Sequence, residues 1–161
     1  MTNNRTNYRL AVVGGGNMGA ALVGGLLAGG WAAAELAVVE VVSARRETLS
    51  TMFPTMAVTE TVPACDAALI AVKPHDAASA AQAAVQAGAR RVLSIAAGVS
   101  VDTLQTACGD GVAVVRSIPN TPALLGKGAA AMCGGPFATD SDLDWAEGIL
   151  GVVGTVQRVP E

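Results

Sequence analysis

The sequence predicts an α/β fold, with a doubly wound, mostly parallel sheet and helices on both faces. Three observations carry this. Short runs rich in valine, alanine and leucine recur along the chain, several of them ending in glycine or proline. Between them lie stretches with apolar residues at helical spacing. The two kinds of segment alternate nearly to the end, the order that gives right-handed strand–helix–strand units.

The elements follow in sequence. Residues 1–8 are polar and are expected to be disordered or extended. Residues 9–13 (RLAVV) are a buried strand running into glycines. Residues 18–28 place Met18, Leu22, Val23 and Leu26 on one helical face, and Gly29-Gly30 stops them. Residues 36–42 (LAVVEVV) are the second strand, 45–53 a helix halted by Pro54, and 56–58 a short third strand. Residues 67–72 (AALIAV) are a fourth strand. The alanine-rich stretch 76–87 is a helix with Asp76 as its expected cap and Gly88 at its end. Strands at 91–95, 112–117, 129–133 and 154–159 follow, with helices at 101–107, capped by Ser100, and 140–150. Residues 118–122, with two prolines, are expected to be a loop. We find no internal repeat or linker, so 9–161 is expected to be one domain.

Composition excludes several function classes. Apolar residues make up 52% of the 161, enough for a full core, and only 3% are aromatic. Eight arginines and two lysines are scattered and the net charge is -3, so the basic stripe of a nucleic-acid-binding domain is missing. Cys65, Cys108 and Cys133 are an odd number without C-x-x-C spacing, which argues against a disulfide framework or a zinc site. No run matches a signal peptide or a membrane span, so a cytoplasmic protein is expected.

Gly14, Gly16 and Gly19 form G-x-G-x-x-G between a strand and a helix, the context that gives this motif weight. The first glycine permits the tight turn, the second clears room for a pyrophosphate, and the third lets helix and strand pack closely. The pyrophosphate then faces the helix N-terminus, whose unbonded N–H groups and dipole favour anions. A Rossmann-like dinucleotide site is therefore expected. Glu40 follows Gly19 by 21 residues, where an acid can accept hydrogen bonds from the adenosine ribose. That position favours NADH, whereas Arg45 and Arg46 favour the 2′-phosphate of NADPH.

In such sheets ligands bind beyond the carboxyl ends of the strands. Ala71-Val72-Lys73-Pro74, Ser94-Ile95-Ala96-Ala97-Gly98 and Ser117-Ile118-Pro119-Asn120-Thr121-Pro122 occupy those ends. Lys73 offers a charge, Ala96 and Ala97 allow a flat ring close to the backbone, and Asn120 and Thr121 offer polar groups. His75, the one histidine, is read as a loop residue. No catalytic triad, carboxylate pair or metal-ligand cluster is present in the pattern. Hydride transfer needs none, since a cofactor carries the reaction.

Gly14-Gly15-Gly16-Asn17-Met18-Gly19, Ala71 to Pro74, Ser94 to Val99 and Arg116 to Pro122 stand in one order and spacing. Together they resemble pyrroline-5-carboxylate reductase, over essentially the whole chain. The resemblance implies reduction of 1-pyrroline-5-carboxylate to L-proline with NADPH or NADH. It implies that Gly14, Gly15, Gly16, Asn17, Met18 and Gly19 hold the pyrophosphate. Ala71, Val72, Lys73, Pro74, Ala96 and Ala97 would line the ribose and nicotinamide, and Asn120 would lie near the substrate mouth. It names no catalytic residue in this chain. Ile118 stands where methionine is frequent, Val58 where asparagine is common, and Glu40 where many members have a neutral residue. The family also has a second, all-helical domain with the substrate carboxylate site and the dimer interface. The expectation is that this chain is the cofactor domain, inactive alone, with homo-oligomers belonging to the intact enzyme. The alternatives are a nucleotide-binding module without catalysis and another imine- or deazaflavin-linked NADP reductase.

Overall fold

A computed structural model describes residues 6–161. The elements run β1 (Leu10–Val13), α1 (Asn17–Ala28), β2 (Leu36–Val39), α2 (Ser43–Met52), β3 (Ala57–Thr59), β4 (Ala67–Ile70), α3 (Pro74–Gln86), β5 (Arg91–Ser94), α4 (Val101–Cys108), β6 (Ala113–Pro119), β7 (Gly128–Gly134), α5 (Asp140–Leu150) and β8 (Gly154–Arg158). One eight-stranded sheet holds them in the order β3-β2-β1-β4-β5-β6-β7-β8. The first six strands are parallel. β7 pairs antiparallel with β6, and β8 runs parallel to β7. The order of the first six is that of the dinucleotide-binding α/β fold.

Both faces of the sheet are covered, and the strands show how. Side chains alternate across a strand, so Leu10 and Val12 enter one apolar cluster while Ala11 and Val13 enter the other. The first cluster takes Leu22 and Leu26 of α1, Leu49 of α2, and Ile149 and Leu150 of α5. The second takes Ala77, Ala81 and Ala84 of α3 and Leu104 of α4. β1, β2 and β4 are buried at every position and so need apolar residues throughout, hence the continuous runs in the sequence.

Boundaries differ from the sequence reading where a local contact intervenes. Ser100 caps α4 as expected, its hydroxyl accepting the Thr103 N–H at 3.2 Å. Asp76 does not cap α3. That helix begins at Pro74, whose missing N–H costs nothing in a first turn, and Lys73 holds the cap position. The second strand ends at Val39, not at residue 42, because Glu40 turns its carboxylate back onto the chain. Residues 118 and 119 extend β6, and the expected loop shrinks to a 3-10 turn at Thr121–Leu125. At the amino end Tyr8 is extended and bridges to Cys65, its N–H bonded to the Ala64 carbonyl at 2.9 Å. The rest of the expectation for residues 1–8 falls partly on 1–5, outside the described residues. Among the described residues no helix is long and apolar enough to cross a membrane.

Candidate functional site

The carboxyl ends of β1, β2 and β4 converge, and a cleft of about 520 Å³ opens there. Between β1 and β4 the strand order reverses direction from the chain order, the place where such sheets bind ligands. Its floor comes from the glycine turn, through Gly14, Gly16, Asn17 and Met18. One wall is Val39, Glu40, Val41 and Val42, and the other is Ala71, Val72, Lys73 and Asp76.

The glycine turn is built from three different constraints. Gly14 has φ +110°, and a Cβ there would lie 2.3 Å from the Ala71 carbonyl oxygen. A Cβ on Gly19 would lie 2.1 Å from the Gly14 oxygen, so only glycine lets α1 start this close to β1. Gly16 is different: a Cβ there meets no atom within 4 Å and opens onto the cleft. Gly16 is also the cap residue of α1, which has no side-chain cap and no acid in its first turn. The N–H groups and positive dipole end of α1 therefore remain available to an anion.

Glu40 bridges two turns. Its Oε2 accepts the Gly15 N–H at 3.1 Å, and its Oε1 accepts the Val42 N–H at 3.0 Å. Arg45 Nε donates to the Gly15 carbonyl at 2.6 Å, and Arg46 donates to the Glu40 and Val41 carbonyls at 2.9 Å each. Among the described residues neither arginine is within 4 Å of a carboxylate oxygen.

The structure brings together most of the residues singled out in the sequence. Gly14, Gly16, Asn17, Met18, Glu40, Ala71, Val72 and Lys73 line the cleft. Gly15, Gly19 and Pro74 stand behind it and shape its backbone. Ala96, Ala97 and Asn120 do not line it. They follow β5 and β6 along the same edge of the sheet. Asn120 is occupied locally, its Oδ1 accepting the Ala129 N–H at 2.8 Å and closing the turn into β7. The sequence reading missed Val41, Val42 and Asp76. Val41 and Val42 were absorbed into an apolar run, yet they are 73% and 55% exposed at the cleft's lip. The charge of Glu40 inside that run was the signal that the strand ended.

Other chemistry is sparse. Burial pushes the Cys108 thiol up to about 11; burial, helped by Asp66, does the same for Cys65. A nucleophilic cysteine needs the opposite shift. His75 is exposed beside Asp76 and outside the cleft. Among the described residues no cluster fit to hold a metal exists. A second hollow of about 470 Å³ at β8 is lined by Asp144, Glu147 and Arg158, the arginine pairing with both carboxylates.

Comparison with known families decides the class. Residues 9–98 match the family described as NADP oxidoreductase, coenzyme F420-dependent. The chain belongs to that family. The chain is also 33% identical to a pyrroline-5-carboxylate reductase of Mycobacterium leprae over 162 residues, covering 95% of this chain and 55% of that protein. The chain thus spans about half the length of the curated relatives it matches. Among solved structures, a pyrroline-5-carboxylate reductase from Coxiella burnetii superposes with a TM-score of 0.85 at 24% identity, over 96% of this chain and 60% of that one. Plasmodium falciparum pyrroline carboxylate reductase with NADP bound gives 0.79 at 23%, over 98% and 60%. These likenesses show the Rossmann-like fold of the oxidoreductase family.

Proposed function

We propose that this chain holds NADH or NADPH in the 520 Å³ cleft and serves the reduction of 1-pyrroline-5-carboxylate to L-proline. The observation that carries the cofactor part is Gly16. Its missing side chain leaves open space at an uncapped helix N-terminus, and space is what a pyrophosphate needs there. The four motifs in register and the similarity to named pyrroline-5-carboxylate reductases support the substrate.

When bound, the cofactor supplies the hydride for the C=N carbon. The chain's own residues bind and orient. The α1 N–H groups face the pyrophosphate, with Gly14, Gly15, Asn17, Met18 and Gly19 setting the turn. Glu40 faces the adenosine ribose, and Val41 and Val42 offer apolar surface beside it. Ala71 to Pro74 form the opposite wall, with Lys73 supplying a positive charge at the rim. Ala96, Ala97 and Asn120 extend this path along the sheet edge. A substrate and a helical dimerisation domain of the family's kind complete the reading for the whole protein. A cytoplasmic location goes with it, since the three cysteines are unpaired thiols, as in a reducing compartment.

The test is a calorimetric titration of the chain with NADH and NADPH, followed by an assay of cofactor oxidation with pyrroline-5-carboxylate in the whole protein. Binding of a dinucleotide and turnover of the cyclic imine are the expected results. A folded chain that binds neither dinucleotide contradicts the reading. The family's description favours a second reading, transfer between NADPH and a deazaflavin. Oxidation of NADPH by F420 without reaction of the imine would select it.

A further inference from the structure

We infer that Glu161 and Arg116 are positioning residues, whose ion pair anchors the far end of the turn at residues 95–98 and so holds that turn in place for the nicotinamide ring. The inference rests on the cofactor reading above and adds two residues that the reading does not use.

The turn follows β5 and is fastened at its near end by two bonds. The Ile95 N–H donates to the Ile70 carbonyl at 3.0 Å, and the Ala96 N–H donates to the buried Ser94 hydroxyl at 3.3 Å. Ala97 and Gly98 are then exposed, with Gly98 at φ +72°. Val99 returns to the second apolar cluster, and α4 starts at Val101. The Ser100 hydroxyl is engaged by the Thr103 N–H, which leaves the Val101 N–H for another acceptor. Glu161 is that acceptor. Its Oε1 takes the Val101 N–H at 2.9 Å and Arg116 Nη1 at 2.7 Å. Arg116 stands opposite Ser94 in the β5–β6 register. The turn is thereby tied at both ends to one pair of strands, by Ser94 at its start and by Arg116, through Glu161, at its end.

This pair is more constrained than a surface salt bridge. Glu161 comes from beyond β8, which lies two strands across the sheet from β6. The Arg116 side chain is only 18% exposed, and its Nε is buried without a hydrogen-bond partner. Among the described residues Glu161 is the one acid paired with it. The bonds from Val101 and Arg116 hold the Glu161 carboxyl below the ordinary carboxylate range, so it is ionised at neutral pH. A mostly buried guanidinium that loses its acid is left uncompensated, which fixes the acid in place. Such fixing matters at the nicotinamide end, because hydride transfer needs the reacting atoms about 3–3.5 Å apart, and a shift of about 1 Å can cost 10²-fold in rate.

The experiment compares the wild type with Glu161→Ala, Glu161→Gln and the double variant Arg116→Met/Glu161→Met. AMP titration reads the adenosine half of the site. The fluorescence of bound NADH reads the nicotinamide half, and kcat for the imine in the whole protein reads hydride delivery. Glu161→Ala is expected to bind AMP within about twofold of the wild type, to change the emission of bound NADH, and to lose about tenfold in kcat with a smaller change in KM. Glu161→Gln, whose amide oxygen still accepts the Val101 N–H, is expected to keep kcat within about threefold. The double variant removes the buried charge together with its partner, so it should regain the Tm that Glu161→Ala loses without regaining kcat. A double variant that regains both shows a merely structural pair and overturns the inference. So does a folded Glu161→Ala with wild-type emission and kcat. If Glu161→Ala does not fold, the double variant decides. A wild type that binds NADH but leaves the imine unreacted contradicts the substrate reading, and the emission of bound NADH then decides the inference alone. Failure of the wild type to bind NADH or AMP overturns the cofactor reading and this inference with it.

Discussion

Two places in this molecule depend on glycine for opposite reasons. At the junction of β7 and β8, a Cβ on Gly154 would lie 2.0 Å from the Gly128 carbonyl oxygen, and a Cβ on Gly128 would lie 2.7 Å from Ala123. Both glycines exist so that one part of the chain can touch another. In the β1–α1 turn, Gly14 and Gly19 do the same job, but a Cβ on Gly16 would meet nothing within 4 Å. A glycine pressed against its own backbone is a packing device. A glycine facing open space at a helix N-terminus is a place kept for something else. The difference separates the ligand-facing part of the sheet from the part that only completes the fold.

The comparison can be broken most forcefully at the contacts. Gly19→Ala puts a methyl group 2.1 Å from a carbonyl oxygen that cannot move without opening the turn. We expect a loss of about 3 kcal/mol, read as a fall in Tm of roughly 10 °C. Gly154→Ala is expected to lose a similar amount by the same backbone clash. The two should part company in binding. The Gly154 variant, where still folded, should bind dinucleotide like the wild type, whereas the Gly19 variant should not. Equal loss of binding in both would mean that the two regions are not separable.

The next effect sharpens the comparison through pH and concerns the distal half alone. Asp142 completes the capping box that Thr139 opens at the start of α5 and joins the helix to β5, its Oδ1 accepting Arg91 Nε at 2.6 Å and its Oδ2 accepting the Thr139 N–H at 2.8 Å. Burial pushes the Asp142 carboxyl up, but the bonds from Thr139 and Arg91 outweigh it and hold the group below the ordinary carboxylate range. A folded-state value below the unfolded one means stability that is present above about pH 4 and lost as pH falls through the folded value. Asp142→Asn is expected to cost about 1–2 kcal/mol at neutral pH, with the gap to the wild type closing in acid. Urea unfolding at several pH values checks this. A gap that persists below pH 3 would show that the carboxylate's charge is not the cause.

The smallest expected effect is the most diagnostic for folding. Gly16→Ala adds a methyl group to open space at a cap position. Stability should change by no more than about 1 kcal/mol. A large loss of Tm would mean that Gly16 is another packing glycine and that the contrast with Gly154 fails.

The parallel half of the fold was legible because burial on both sheet faces forces uninterrupted apolar strands such as Leu36 to Val39 and Ala67 to Ile70. Alternating helices then fixed the layers. The β6–β7 connection was harder. Two prolines suggested a longer loop, but Asn120 bonds across to Ala129 and lets the strand run to Pro119. That bond joins residues whose meeting no local pattern announces. The α3 start was misplaced for a related reason, since Pro74 begins the helix before the acid that seemed to cap it. In the cleft, the glycine spacing and Glu40 were visible in the sequence. What Glu40 does was not, because its partners, Gly15 and Val42, come from two different turns brought together by the sheet. Val41 and Val42 were hidden by their own hydrophobicity, which looks the same in a buried strand and at the lip of a cleft.

The most direct test of the account is titration of the wild-type chain and Gly16→Val with NADH in a calorimeter. The valine would place a branched side chain into the open space above the α1 N-terminus, where a Cβ meets nothing within 4 Å. The account predicts a melting curve like that of the wild type and an affinity at least about tenfold weaker, roughly 1.4 kcal/mol. A folded Gly16→Val chain that binds NADH as tightly as the wild type would contradict it, because the dinucleotide would then lie somewhere other than this cleft.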